Sequence, residues 1–265
     1  MSLPTDPMKM NCQALKCFSL AVLAGFLMVT PGFAQLIVDT GTAAPDDSKA
    51  IVRVKVESDD TLLMWRRYNW NSTHVRQINL GQTFLVSGGD FTADAFVFRI
   101  GATDQANLTA AYGKAFTLSI YEVDTEVTPI AGIPIDGTIQ QFHGNLTSDF
   151  GANDYLTLSL KTPFAGKADT LYGVLLSFDQ EASNQGIQLI VGKSPNLYPD
   201  GNTFQQANII GSRDLEYGYI SGKQLDFTVL GEVEAVPEPK LAHLLLGGLC
   251  CAAAALAIRR RKVID

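Results

Sequence analysis

Apolar and polar residues alternate with a period of two through most of the chain from Ile51 to Leu230. Ile51-Val52-Arg53-Val54-Lys55-Val56-Glu57 is the clearest case, and alternation of this kind marks a strand with one buried face. The same pattern predicts strands over Thr61–Arg67, Val75–Leu80, Gln82–Val86, Phe91–Ile100, Ala115–Val123 and Thr138–Leu146. It continues over Tyr155–Leu160, Leu171–Phe178, Gly186–Val191, Glu216–Ile220 and Leu225–Leu230. Gln35–Pro45 reads as a lead-in strand or linker. Ser58-Asp59-Asp60, Gly81 and Ser87-Gly88-Gly89-Asp90 read as breakers, Pro129–Gly137 as a connection, and Gly192–Asp214 as a long irregular stretch. No segment between Gln35 and Val236 has a helical period. Short strands separated by turn residues predict an all-β, antiparallel β-sandwich.

Both ends of the chain depart from this pattern. At the C-terminus, Pro237-Glu238-Pro239 interrupts any regular element, because two ring-locked residues remove two backbone donors. The apolar run Leu241–Ile258 follows, long enough at about 1.5 Å per residue to cross a hydrocarbon core, and then Arg259, Arg260, Arg261 and Lys262, which would hold that end in the cytoplasm. At the N-terminus, Lys9 and Lys16 precede an apolar segment, Cys17–Val29, and Gly32-Phe33-Ala34 offers small residues for signal peptidase cleavage after Ala34. Met8 is a more natural start than Met1, since Met1–Pro7 lacks the expected positive charge. Leu15-Lys16 before Cys17 argues against a lipoprotein site. The expected division is a signal peptide over 1–34, a β-sandwich ectodomain over 35–235, and a membrane-directed tail over 236–265 with a transmembrane helix at 241–258.

The order of triplet, apolar helix and arginine cluster resembles the PEP-CTERM sorting signal of proteins exported by Gram-negative bacteria. The resemblance implies an exosortase as processing partner, transient residence in the inner membrane, and release to the cell surface or extracellular matrix, with Pro237, Glu238, Pro239, Arg259, Arg260 and Arg261 as the sorting residues. His243 inside the apolar run is a departure, tolerable near the membrane surface. An uncut permanent anchor is the other reading. Gly81-Gln82-Thr83-Phe84, Phe91–Arg99, Phe116–Val123 and the pair Asp154–Leu160 and Leu171–Phe178 are similar to the jelly-roll-like domains common in such exported proteins. That similarity implies a jelly-roll type of sandwich and no particular chemistry.

Composition narrows the function. Cys12 and Cys17 lie in the signal and Cys250 and Cys251 in the tail, so the ectodomain has no disulfide and depends on its core. From Gln35 to Val236, 13 Lys and Arg stand against 24 Asp and Glu, a formal charge of −11. Such a balance disfavours nucleic acid and anionic lipid as partners and suits divalent cations, cationic surfaces or neutral glycans.

The motifs of serine, cysteine and phosphate chemistry are absent. His74 and His143 have no second His or Cys at ligand spacing, so no transition-metal site is expected. There is no Gly-x-Ser-x-Gly elbow, no phosphate-cradling glycine loop and no ectodomain thiol. A carboxylate pair for glycoside hydrolysis stays open, since its separation is invisible in sequence. Trp65-Arg66-Arg67-Tyr68-Asn69-Trp70-Asn71 gathers aromatic plates, guanidinium groups and amides, and Trp65, Arg67, Tyr68 and Trp70 are candidate glycan contacts. The competing reading sends Trp65 into the core, leaves Arg66 and Tyr68 on the solvent face and makes Asn69–Ser72 a turn. Asp46-Asp47, Ser58-Asp59-Asp60 and Asn153-Asp154 could supply oxygen to Ca2+, but none fits a calcium-loop pattern, and solvated turns account for them as well. Three Asn-x-Ser/Thr triplets, at Asn71, Asn107 and Asn145, are ordinary turn composition. Two functions follow. One is a non-enzymatic exported surface or matrix protein, glycan-binding or adhesive, with exopolysaccharide as partner; the other is a carbohydrate-active enzyme with an unrecognised carboxylate pair.

Overall fold

A computed structural model of the chain describes residues 34–57, 61–69, 74–101, 109–123, 138–179, 184–192, 201–210, 215–219 and 223–235. These residues are nearly all strand, as the alternation predicts. In chain order the strands are β1 (Ala34–Gly41), β2 (Ala50–Val54), β3 (Thr61–Asn69), β4 (Val75–Leu85), β5 (Phe91–Arg99), β6 (Ala115–Glu122) and β7 (Thr138–Asn145). They continue as β8 (Tyr155–Gly166), β9 (Leu171–Phe178), β10 (Gln185–Gly192), β11 (Thr203–Ile210), β12 (Leu215–Tyr219), β13 (Gln224–Leu225) and β14 (Phe227–Val233). Among the described residues no helix is long and apolar enough to cross a membrane. The apolar run 241–258 lies outside them.

The strands form one sheet in the order β13-β10-β3-β4-β9-β6-β7-β1-β8-β5-β14-β2, with β11 and then β12 attached to the other edge of β4. The sheet curls into a nearly closed barrel. On one side β1 joins its two halves: Ala34 and Gln35 run parallel to Phe142 and His143 of β7, and Leu36–Gly41 then pair antiparallel with β8. On the other side a bridge between Ile100 and Leu189 brings the end of β5 to β10, supported by the Gly101 N–H donating to the Gln188 carbonyl at 2.7 Å. Every other ladder is antiparallel.

The interior is filled by aromatic and branched side chains from both halves, as period-two alternation requires. Phe84, Phe91, Phe96, Phe98, Phe116 and Phe227 are all at most 1% exposed. Phe96 stacks on Phe227 with centroids 6.2 Å apart, and Phe84 contacts Phe91 edge-on at 6.2 Å. No disulfide assists this core.

Three expectations are corrected. Gly81 does not end a strand; β4 runs unbroken from Val75 to Leu85 through it. The absent side chain is required by a ring: a Cβ there would lie 2.2 Å from the Phe204 ring and 2.4 Å from the Val174 carbonyl oxygen. Phe204 covers Gly81 on the outer face and forms a small second core with Tyr121 and Leu175. The stretch Gly192–Asp214 is not wholly irregular, because it contains β11, which pairs with β4 from Thr203↔Gln82 to Ile210↔Val75. Its glutamines and asparagine, Gln205-Gln206-Ala207-Asn208, hide the alternation that would have revealed it. Finally, β8 extends past Leu160 to Gly166 through Pro163. Proline is tolerated there because β1 pairs only with residues 155–160, leaving that edge of β8 free of ladder bonds further on.

Replacing Gly81 by Ala should destabilise the fold by about 2–3 kcal/mol, the upper part of the range for overpacking a tight site. Adding Phe204→Ala should recover only part of that loss, because the Val174 carbonyl is backbone and stays in place. Equilibrium denaturation of the two single variants and the double variant measures both effects.

Candidate functional site

Strand β4 organises the surface that matters. Its residues 75–78 pair with β3 and 80–85 with β9, while β11 follows the opposite edge over 75–82. A strand has only two edges, so β3 and β9 share one and must diverge where the first pairing ends. The carbonyl of Phe178, at the end of β9, is left at this fork. The Gln77 amide donates to it at 3.1 Å and to Asn79 Oδ1 at 2.8 Å, while Gln77 Oε1 accepts from Arg67 Nη1 at 2.8 Å. Asn79 Nδ2 in turn donates to Gln206 Oε1 at 2.7 Å. Arg67 thus heads a polar ladder across three strands.

The predicted aromatic cluster is divided by the pleat. Trp65 points inward and is fully buried, stacked on Phe178 at 4.2 Å and edge-on to Phe116 at 5.5 Å. It has no ring face left for a sugar, so the packing reading holds for this residue. Arg67 is held by Gln77. Met64, Arg66 and Tyr68 share the opposite face of β3, and they line a groove of about 240 Å³ with Asn69, Asn184 and Gln185. The Arg66 guanidinium lies 4.1 Å above the Tyr68 ring centroid, and its Nη2 donates to the Tyr68 hydroxyl at 3.3 Å. Stacking of this kind fixes a long side chain that would otherwise sample many rotamers. The Asn69 N–H donates to Asn184 Oδ1 at 3.3 Å, tying the far end of β3 to the residue before β10. Gly186 lies opposite Arg66 in the register, and a Cβ there would come within 2.9 Å of the Arg66 Cβ. Glycine at that position gives the groove its floor. Trp70 lies outside the described residues, as do Ser58-Asp59-Asp60 and the sorting residues Pro237, Glu238, Pro239, Arg259, Arg260 and Arg261. Ala34, the expected last residue of the signal, is the first residue of β1.

A second, more open cleft of about 580 Å³ lies where β1 leaves β7, and it contains a cluster that sequence spacing did not reveal. His143, Thr117 and Asp179 come together from β7, β6 and the residue after β9. His143 Nδ1 is 3.3 Å from Asp179 Oδ2 and 3.0 Å from Thr117 Oγ1, which donates to Asp179 Oδ1 at 2.5 Å. Hydroxyl and carboxylate both meet the same imidazole nitrogen. A nucleophilic relay needs them on opposite nitrogens, so this arrangement ties strands together and does not activate Thr117. Asp179 is the one carboxylate among the described residues lining this cleft, and none lines the groove beside Arg66.

The other carboxylates proposed for calcium serve local turns. Asp46 Oδ1 accepts from the Ser48 N–H at 3.0 Å and hydroxyl at 2.8 Å, and Asp154 Oδ2 accepts from the Gly151 N–H at 2.7 Å. Asp47 faces Arg53 at 3.5 Å. Among the described residues no three His, Cys, Asp or Glu are grouped closely enough to hold a metal ion.

Comparison with known proteins adds little. No protein-family profile matches the chain. No curated protein matches it either. Among solved structures, it is similar at a TM-score of 0.35 and 9% identity to the cysteine protease and lectin-like domains of Cwp84, a surface layer associated protein of Clostridium difficile, over 65% of this chain and 36% of that one. A likeness that distant bears on neither fold nor function.

Two carboxylates have opposite electrostatic settings. The Lys167 ammonium, the Ala168 N–H and the charge of Lys167 hold the exposed Asp90 below the usual carboxylate range, with Lys167 Nζ at 2.5 Å. Burial pushes Asp226 above that range, against the opposing pull of Arg53, the Val56 N–H and Arg99. Asp90 therefore adds stability that is present above its unfolded pKa, near 3.9, and disappears as pH falls through its lower folded value. Asp226 does the reverse: its charged form is disfavoured by folding, so protonation on descent through its raised folded value relieves a cost. In pH-dependent denaturation, wild type should lose its advantage over Asp90→Asn as the solution is acidified toward pH ~3. It should gain relative to Asp226→Asn between neutral pH and ~4.

Proposed function

We propose that this chain is a non-enzymatic, exported cell-surface or matrix protein whose β-domain binds glycan through the groove between β3 and the start of β10. The observation that supports the ligand is the pairing of Arg66 and Tyr68, a guanidinium fixed 4.1 Å from the centroid of a half-buried aromatic ring that also packs against the core, with Asn69 and Asn184 beside them. An aromatic face packs on the apolar side of a sugar ring, and amides exchange hydrogen bonds with its hydroxyls. At about 240 Å³ the groove is smaller than the roughly 300–1,000 Å³ of pockets for drug-sized ligands, which suits one sugar residue of a polymer better than an enclosed oligosaccharide. The barrel is read as a jelly-roll type of sandwich, its halves joined through β1.

Export rests on the sequence of the ends. The signal over 1–34 enters with its cations inside, the domain follows, and 241–258 halts transfer with Arg259, Arg260, Arg261 and Lys262 in the cytoplasm. An exosortase acting near Pro237-Glu238-Pro239 would then release the domain, as the PEP-CTERM resemblance implies. Mass spectrometry of the exported protein should find a chain that begins at Gln35 and lacks Leu244–Ile258. Pro237→Ala with Glu238→Ala should leave a larger, membrane-bound species. A mature wild-type chain that retains 244–258 would mean a permanent anchor. Incubation with a polysaccharide panel should give retention without new reducing ends, and release of reducing ends would make the protein an enzyme.

A further inference from the structure

We infer that the groove selects acidic sugars, with the Arg66 guanidinium as the receptor for a carboxylate on the bound residue; this rests on the glycan-binding reading above. The whole domain argues the other way, since 24 acidic residues outnumber 13 basic ones between Gln35 and Val236. The groove departs from that average. Its described lining holds one cation, Arg66, three amides, Tyr68 and Met64, and no carboxylate. Arg53 meets Asp47 at 3.5 Å and Arg99 meets Asp226 at 3.8 Å, so those two guanidinium groups already face an acid. Arg66 makes no ion pair among the described residues; its recorded partners are the Tyr68 ring and hydroxyl.

A guanidinium in this setting is held in place without being neutralised. Tyr68 fixes the plane of Arg66 by stacking, and Gly186 leaves room for the side-chain stem to lie against β10. A planar fork of N–H donors matches the two oxygens of a carboxylate, and a charge-assisted pair is roughly twice as strong as a neutral hydrogen bond. Ionic screening confines repulsion from the rest of the acidic surface to about 8 Å at physiological salt, so a local cation can prevail over an unfavourable net charge. The exposed amides of Asn69 and Asn184 then suit the neutral hydroxyls of the same ring. A uronic acid residue combines the two sets of groups: one carboxylate and several hydroxyls on a ring with an apolar face.

The test uses the full chain in detergent, with polygalacturonate as the acidic polymer and a neutral glucan of matched length, by sedimentation and calorimetry. Polygalacturonate should bind at least 10-fold more tightly than the neutral glucan, and its binding should weaken as sodium chloride is raised. Arg66→Gln should bring polygalacturonate down to the affinity of the neutral glucan measured with the same variant, Arg66→Lys should restore part of the preference, and Tyr68→Ala should reduce binding of both polymers. Unchanged circular dichroism would show the variants folded. Equal binding of both polymers, or an Arg66→Gln variant that still prefers polygalacturonate, overturns the acidic-sugar inference and leaves the glycan reading intact. Binding of neither polymer overturns both.

Discussion

One buried amide holds the closing strands to the rest of the domain. Gln82 sits on the inward face of β4 between Leu80 and Phe84, and all three are fully buried. Its Oε1 accepts from the Leu225 N–H at 3.0 Å and the Thr203 hydroxyl at 2.9 Å, and its Nε2 donates to the Thr83 carbonyl at 3.1 Å. β13 has only two residues, so its own ladder with β10 is too short to secure it. Removing the amide would leave a buried N–H without an acceptor, at a cost of about 1–3 kcal/mol. Around this point the seam is continued by backbone: the Asp226 N–H donates to the Ile190 carbonyl at 2.9 Å, and the Arg99 N–H to the Asp226 carbonyl at 3.2 Å. In a domain without disulfides, a polar brace inside an aromatic core does the work of a cross-link.

The four residues Gly81-Gln82-Thr83-Phe84 then have one explanation each. Gly81 makes room for Phe204, Gln82 braces the seam, Thr83 exchanges hydrogen bonds with Asn202 at 2.9 and 2.7 Å, and Phe84 fills the core. Because β4 is fixed by both its edges, the fork at which β3 leaves β9 is fixed too. Arg66 and Tyr68 lie in the part of β3 that still pairs with β4, and Trp65, just beyond that pairing, is locked against Phe178. The groove lies beside the fork, where β3 is laddered to both β4 and β10, and the core beneath stiffens it. Preorganisation of this kind limits the entropy lost when a ligand binds.

β2, β5, β6 and β9 match the expected strands to within about three residues, β6 and β9 even though both of their faces are covered. β4 was harder, because Gly81 interrupts its apolar pattern and Asn79, Gln82 and Thr83 are buried although polar. Their long-range partners, Gln206 and Thr203 of β11, Asn202 just before it and Leu225 of β13, lie more than a hundred positions away, so no local pattern announces them. The same holds for His143, Thr117 and Asp179, which three ladders bring together and no spacing predicts. Within the aromatic cluster, the pleat separates the buried Trp65 from the half-buried Arg66 and Tyr68. The alternation could not supply the opposing wall of the groove, since Gln185 begins a strand that pairs with β3 only in the folded chain and Asn184 directly precedes it.

Amide hydrogen exchange at Leu225 tests the brace most directly. In wild type this N–H should exchange only through global unfolding, as slowly as amides of β5 and β9, even though it belongs to a two-residue strand. Gln82→Met should open it locally, accelerating exchange by at least 10-fold more at Leu225 than at those core amides, in line with the loss of a buried acceptor worth about 1–3 kcal/mol. If Leu225 in wild type exchanges as fast as an exposed turn amide, Gln82 does not hold the seam and the account of how this domain closes is wrong.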